Sequence, residues 1–142
     1  MFNPSVNDVR NFFFDTYAKG VANEVLTNLE KIAYSVILEH PEYRKVLSNR
    51  EKYLQTNWLP ESGETNPFLH MSMHMSILEQ LTINQPFGIC DLYNKLCVKL
   101  SDEHEAQHQV MDCLAEMIWQ AQYNNMQPDA NIYLTCLKNK IN

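Results

Sequence analysis

The sequence predicts an all-α protein, folded as an up-and-down helical bundle of four to six helices in a single domain over residues 1–142. Three observations support this fold class. Apolar residues recur three and four positions apart along most of the chain, which is the period of one helix face. Residues that cap helices precede several of these stretches. The chain has only three glycines, too few for turn-dense all-β folds, and its short connections favour antiparallel neighbours.

The first two predicted helices begin at capping boxes, over residues 5–8 and 27–30, where a hydroxyl and a carboxylate bond each other's backbone N–H. Gly20 is expected to end the first helix. The second is expected to end before Pro41, because the residue before a proline avoids the helical conformation. A short helix is predicted near 42–54.

A loop is predicted over residues 57–65, and the third helix starts after it, at an Asn66 cap with a proline at its first position. This helix is expected to run to about Ile83. Three further helices follow: one over 89–100, one that opens at 101–105 and continues to about Tyr123, and a short one capped by 127–129 that runs through Leu137.

Composition and charge exclude several function classes. The formal charge is −6, so nothing offsets the repulsion of phosphates and nucleic acid is not an expected partner. The longest apolar runs are about three residues, far below the roughly 18 of a membrane span, and the N-terminus lacks the pattern of a secretory leader. We therefore expect a cytoplasmic protein that does not contact membranes. The four cysteines, Cys90, Cys97, Cys113 and Cys136, form no C-x-x-C pair and are expected to be structural thiols.

The histidines are the residues that indicate a functional site. Four of the five histidines form two pairs four residues apart, His70 with His74 and His104 with His108. At about 100° per residue, each pair shares a face with apolar residues of its helix, so both pairs are predicted to face the core. Two short connections would make their helices parallel and bring the pairs to the same end of the bundle. His40, at the end of the second helix, would join them.

Two imidazoles four residues apart on a helix can chelate one metal ion, and bundle cores often hold such sites. The pattern therefore predicts a transition-metal site built from His70, His74, His104 and His108, with Asp112 or His40 in support. Imidazole suits zinc, iron, copper or nickel. An enzyme with this site would be a metal-dependent hydrolase or transferase.

The alternative is a non-enzymatic interaction module. Its histidines would form a hydrogen-bond network in the core. Its Met- and Phe-rich helices would dock a protein or small-molecule partner, or a second copy of the chain as a homodimer.

Several motifs along nearly the whole chain resemble a family of small bacterial proteins, mostly proteobacterial, that is known only as a domain of unknown function. The motifs are Phe2-Asn3-Pro4-Ser5, His40-Pro41-Glu42-Tyr43, Glu64-Thr65-Asn66-Pro67-Phe68-Leu69-His70, His74 through Glu79-Gln80, Gln85-Pro86-x-Gly88-Ile89 and His104-x-x-x-His108 with Cys113-Leu114-Ala115-Glu116. The resemblance implies a small, helical, cytoplasmic protein and carries over no catalytic residue. A looser likeness, to DinB-like metal-dependent transferases and hemerythrins, rests on the two histidine pairs alone.

Overall fold

A computed structural model of the chain describes residues 5–59, 63 and 65–142. Within these residues the fold is all-α, without strands, as predicted. The described part of the chain contains eight α-helices, more than the predicted four to six. They are α1 (Val6–Val21), α2 (Asn28–Leu38), α3 (Arg44–Leu47), α4 (Arg50–Tyr53), α5 (Pro67–Ile83), α6 (Ile89–Leu100), α7 (Glu103–Tyr123) and α8 (Ala130–Ile141), with a 3-10 turn at Pro41–Tyr43. None of the described helices has the length and apolar content that crossing a bilayer requires.

The predicted helix starts follow the capping residues. Ser5 and Thr27 each accept a backbone N–H three residues on, and both boxes are complete. Asp102 and Asp129 cap α7 and α8, and the Asn66 side chain accepts from the first backbone amides of α5. Residues 2–4 of the Phe2-Asn3-Pro4-Ser5 motif lie outside the described residues, as do residues 60–62 and 64 of the predicted loop over 57–65.

Three boundaries differ from the predictions. The expected helix near 42–54 is divided because Asn49 leaves the helical conformation and caps a new turn by accepting from the Lys52 N–H. Gly20 does not end α1, which continues through it to Val21. The last helix runs to Ile141 rather than Leu137, and the Lys99 ammonium donates to the carbonyls of its final turn.

The chain divides into two compact units, an N-terminal unit of residues 1–75 and a C-terminal unit of residues 76–142. The boundary falls inside α5, between Met75 and Ser76. The single domain over 1–142 stays a prediction.

In the N-terminal unit, aromatic rings and a buried arginine form the centre of the packing. The rings of Phe13 and Phe14 on α1 contact the ring of Phe68 on α5. Arg10 is buried, and its guanidinium donates to the carbonyls of Leu54 and Thr56 at 2.8 Å. This arginine therefore ties the segment after α4 to α1, because a buried guanidinium requires acceptors for its protons.

In the C-terminal unit, α6, α7 and α8 pack against one another. Cys113 on α7 is bonded to Cys136 on α8, and Gln109, one turn earlier on α7, accepts from Lys140, one turn later on α8. Since the residue numbers run in opposite directions, α7 and α8 are antiparallel. The unit therefore has the up-and-down arrangement that short connections predict.

Two sequence-based expectations for this unit are wrong. Cys113 and Cys136 form a disulfide, whereas all four cysteines were expected to be thiols; spacing along the chain did not show that an antiparallel pair places them opposite each other. Cys90 and Cys97 are free, as expected. The face of α7 that carries the second histidine pair was also expected to point into the core along its length, but Ala115 and Trp119, which share that face, are exposed.

Candidate metal centre

His40 lies just past the end of α2 and is 2% exposed. Its Nδ1 is 2.8 Å from the carbonyl oxygen of Val36, one turn earlier. A carbonyl only accepts hydrogen bonds, so Nδ1 carries the proton and donates it. In the neutral ring the lone pair is therefore on Nε2. Metal-binding histidines typically have this arrangement, in which the second ring nitrogen is held by a carbonyl or carboxylate.

His70 and His74 lie one turn apart on α5. Their Nε2 atoms are 3.2 Å apart. His74 is completely buried and His70 is half-buried, so the prediction that this pair faces the core is confirmed for His74 and holds in part for His70.

The three histidine rings of the N-terminal unit surround one point. The centroid of His40 is 5.0 Å from that of His70 and 4.7 Å from that of His74, and the two α5 rings are 4.8 Å apart. One ring nitrogen from each residue lies within 4.8 Å of those of the other two. The structure thus brings His40, named from the sequence only as a supporting residue, into the centre of the cluster.

These distances are compatible with ligands of one ion. In a tetrahedral zinc site with Zn–N bonds of about 2.05 Å, neighbouring ligand nitrogens are about 3.3 Å apart. The His70 and His74 Nε2 atoms already have nearly this separation. A hydrogen bond between two neutral imidazoles also fits it, so the distance alone does not distinguish an ion site from a network.

Tyr43 forms one wall of the cluster and was not singled out from the sequence. Its ring is stacked on His40, with centroids 5.2 Å apart and an angle of 4° between the planes. Burial, with a smaller contribution from Glu42, raises the pKa of Tyr43 to about 12, so its phenol is neutral at pH 7. The available signal was the His-Pro-x-Tyr spacing, because the proline starts a 3-10 turn that returns the tyrosine to the histidine.

The second pair belongs to the C-terminal unit. The rings of His104 and His108 on α7 are 4.3 Å apart, and both residues are half-buried. The buried residues of α7 are Ala106, Gln107, Val110, Met111, Cys113 and Leu114. Because both histidines are half-buried, the prediction that this pair faces the core holds in part.

Asp112, the other supporting residue from the sequence, is exposed, and its carboxylate is 3.8 Å from the Lys140 ammonium on α8. The participation of His104, His108 and Asp112 in a metal site stays a prediction from the sequence.

The profile of one protein family, described as a domain of unknown function (DUF1841), matches residues 5–139. No curated protein and no solved structure matches the chain.

Proposed function

The chain belongs to the family described as a domain of unknown function (DUF1841), and because that description names no activity, we propose a function from the side chains: binding of one divalent transition-metal ion by His40, His70 and His74. The observation that carries this proposal is the pairing of three clustered imidazoles with the His40–Val36 hydrogen bond. That bond orients one ring and, because it holds the proton on Nδ1, places the lone pair on Nε2, the atom that would bind the ion.

Two of the three proposed ligands are buried. His40 and His74 are almost fully shielded from water, and the neutral imidazole is the form that binds a metal.

Zinc is the favoured ion, with iron and nickel as the other candidates, because imidazole nitrogen suits all three. A tetrahedral ion with three histidine ligands keeps a fourth position, where zinc lowers the pKa of a bound water to about 7. Such a site would serve a hydrolase or a transferase. His70 is the most exposed of the three ligands, so the ion and any substrate would enter on its side.

The sequence pattern also nominates His104 and His108 as ligands, and variants decide whether either takes the fourth position. If His108→Ala or His104→Ala weakens zinc affinity about tenfold or more, the second pair participates and the site is closed. If affinity is unchanged in both variants, the fourth position is left for water.

The test is the metal content of the untagged protein, purified without a metal column and measured by elemental mass spectrometry. We expect about one ion per chain. His40→Ala and His74→Ala should lose the ion, whereas Ser72→Ala, on α5 between the two histidines, should retain it. His70→Gln keeps a hydrogen-bonding side chain at a half-buried position, so it should fold normally and still lose metal.

Thermal unfolding provides a second readout. Zinc should raise the melting temperature of the wild type, since a ligand of the native state stabilises it by mass action, but not that of His70→Gln. Two results together would show that the proposal is wrong. The protein would hold no stoichiometric metal after supplementation with zinc, iron and nickel, and added zinc would leave its melting temperature unchanged. The histidines would then form the hydrogen-bond network of the alternative interpretation.

A further inference from the structure

The disulfide of the C-terminal unit has one buried and one accessible sulfur-bearing residue. Cys113 on α7 is completely buried, whereas Cys136 on α8 is half-buried and lines an open cleft of about 390 Å³. The other residues of the cleft are Glu116, Gln120, Asn131, Ile132, Thr135 and Asn139. Cys136 is therefore the half of the crosslink that borders this cleft.

We propose that Cys136 is a site of thiol–disulfide exchange with small monothiols of the glutathione class. A thiolate in the cleft attacks Cys136 Sγ, forms a new S–S bond to it and breaks the bond to Cys113 Sγ. The electron pair of the broken bond leaves with Cys113 as a thiolate, which takes a proton from water. The products are a mixed disulfide on Cys136 and a free thiol on Cys113, and a second thiol molecule can release Cys136 by the same step.

Access determines which of the two disulfide sulfurs is attacked. Exchange requires the attacking sulfur to approach one of the two disulfide sulfurs, and its rate depends on which sulfur is accessible. Burial of Cys113 prevents approach to its sulfur in the folded protein.

The two remaining cysteines are separate from this site and can be removed. The Cys90 thiol donates to the carbonyl of Leu81 at 2.9 Å, and Cys97 is a free, half-buried residue of α6. In a Cys90→Ser/Cys97→Ser protein, every thiol that appears on exchange comes from the crosslink.

The experiment incubates this doubly substituted protein, under native conditions, with millimolar glutathione, stops the reaction with acid, alkylates free thiols and maps the peptides by mass spectrometry. We expect glutathione on Cys136 and the alkyl group on Cys113, with at least about tenfold preference for this arrangement. Equal modification of both cysteines, preference for Cys113, or no exchange until denaturant is added would each overturn the proposal.

Two further variants measure access without the disulfide. Cys113→Ser, in the same background, leaves Cys136 as the only thiol, which should react with a chromogenic disulfide reagent in the folded protein. Cys136→Ser leaves only Cys113, which should react at least about a hundredfold more slowly until the protein unfolds. Similar rates in the two variants, with both folded by circular dichroism, would contradict the proposed asymmetry. None of these readouts depends on a bound metal.

Discussion

At the scale of single residues, Gly20 was predicted to end the first helix, but the structure shows that it is required for packing. A glycine near the end of an apolar repeat typically ends a helix, yet α1 continues through Gly20 to Val21. The reason is packing against α2: a Cβ added at Gly20 would overlap the ring of Tyr34. The residue type was informative, but only the tertiary contact shows why it is required.

Gly20→Ala should lower the free energy of unfolding by up to about 2 kcal/mol. Forcing an extra carbon into a packed contact costs about 1–3 kcal/mol, which the better helix propensity of alanine offsets by about 1 kcal/mol. Urea unfolding measures the change.

The matched control for Gly20→Ala repeats it in a Tyr34→Ala background. With the ring removed, the same substitution should become neutral or stabilise by up to about 1 kcal/mol. An unchanged loss in that background would show that Tyr34 is not the cause.

At the scale of helices, capping residues and apolar spacing carry most of the predictable information. They located α5 and α6 within about a residue of their observed ends, because these signals are local. The division of 42–54 at Asn49 was missed because a cap inside a helical pattern has no strong sequence signature. The half-burial of the second histidine pair was not predicted for a different reason, since periodicity identifies a face but not which neighbour covers it.

The start of α2 leads to a prediction about pH. Glu30 accepts from the Thr27 backbone N–H and from the Lys19 ammonium, each at 2.9 Å. The hydrogen bond from Thr27, followed by that from Lys19, lowers the pKa of Glu30. A carboxylate with a depressed folded-state pKa stabilises the fold above its unfolded pKa, and this stabilisation is lost as the pH falls through its folded pKa.

Glu30→Gln should therefore lower the free energy of unfolding at pH 7, and the difference from the wild type should shrink as the solution is acidified. Denaturant unfolding of both proteins from pH 7 to pH 3 measures it. Glu51→Gln, at an exposed position of α4, serves as the control and should show little difference at either end. A Glu30→Gln difference that stays constant with pH would mean that the charge of Glu30 contributes nothing.

At the scale of the whole molecule, the candidate site shows what a single sequence can and cannot reveal. The i, i+4 spacing identified His70 and His74, and the order of the helices suggested His40. The central position of His40 depends on where α2 ends relative to α5, and the Val36 hydrogen bond depends on the rotamer of the ring. Residue spacing encodes neither the place where α2 ends relative to α5 nor the rotamer of His40.

The disulfide should account for a measurable part of the stability of the whole chain. Cys113 and Cys136 are 23 residues apart, and closing a loop of this length stabilises a fold by about 3 kcal/mol on the chain-entropy account. Adding dithiothreitol should lower the free energy of unfolding by about this amount. A Cys113→Ala/Cys136→Ala protein should be insensitive to the reductant; if it responds equally, the effect does not come from the crosslink.

The two compact units can be tested for joint unfolding, because each contains one tryptophan, Trp58 and Trp119. The boundary divides α5 into segments 67–75 and 76–83. Isolated helices shorter than about 12–15 residues are marginal in water, so loss of one unit should destabilise the half-helix that remains. We therefore expect both units to unfold in one transition.

In a Trp119→Phe protein, fluorescence reports Trp58 alone, whereas circular dichroism reports the helices of both units. Trp58 suits this use because the Arg10 guanidinium lies 5.2 Å from its ring centroid, a contact that unfolding breaks. The two signals should give the same urea midpoint. Midpoints that differ would show that the continuous α5 does not couple the units, and the prediction of a single domain over 1–142 would be wrong.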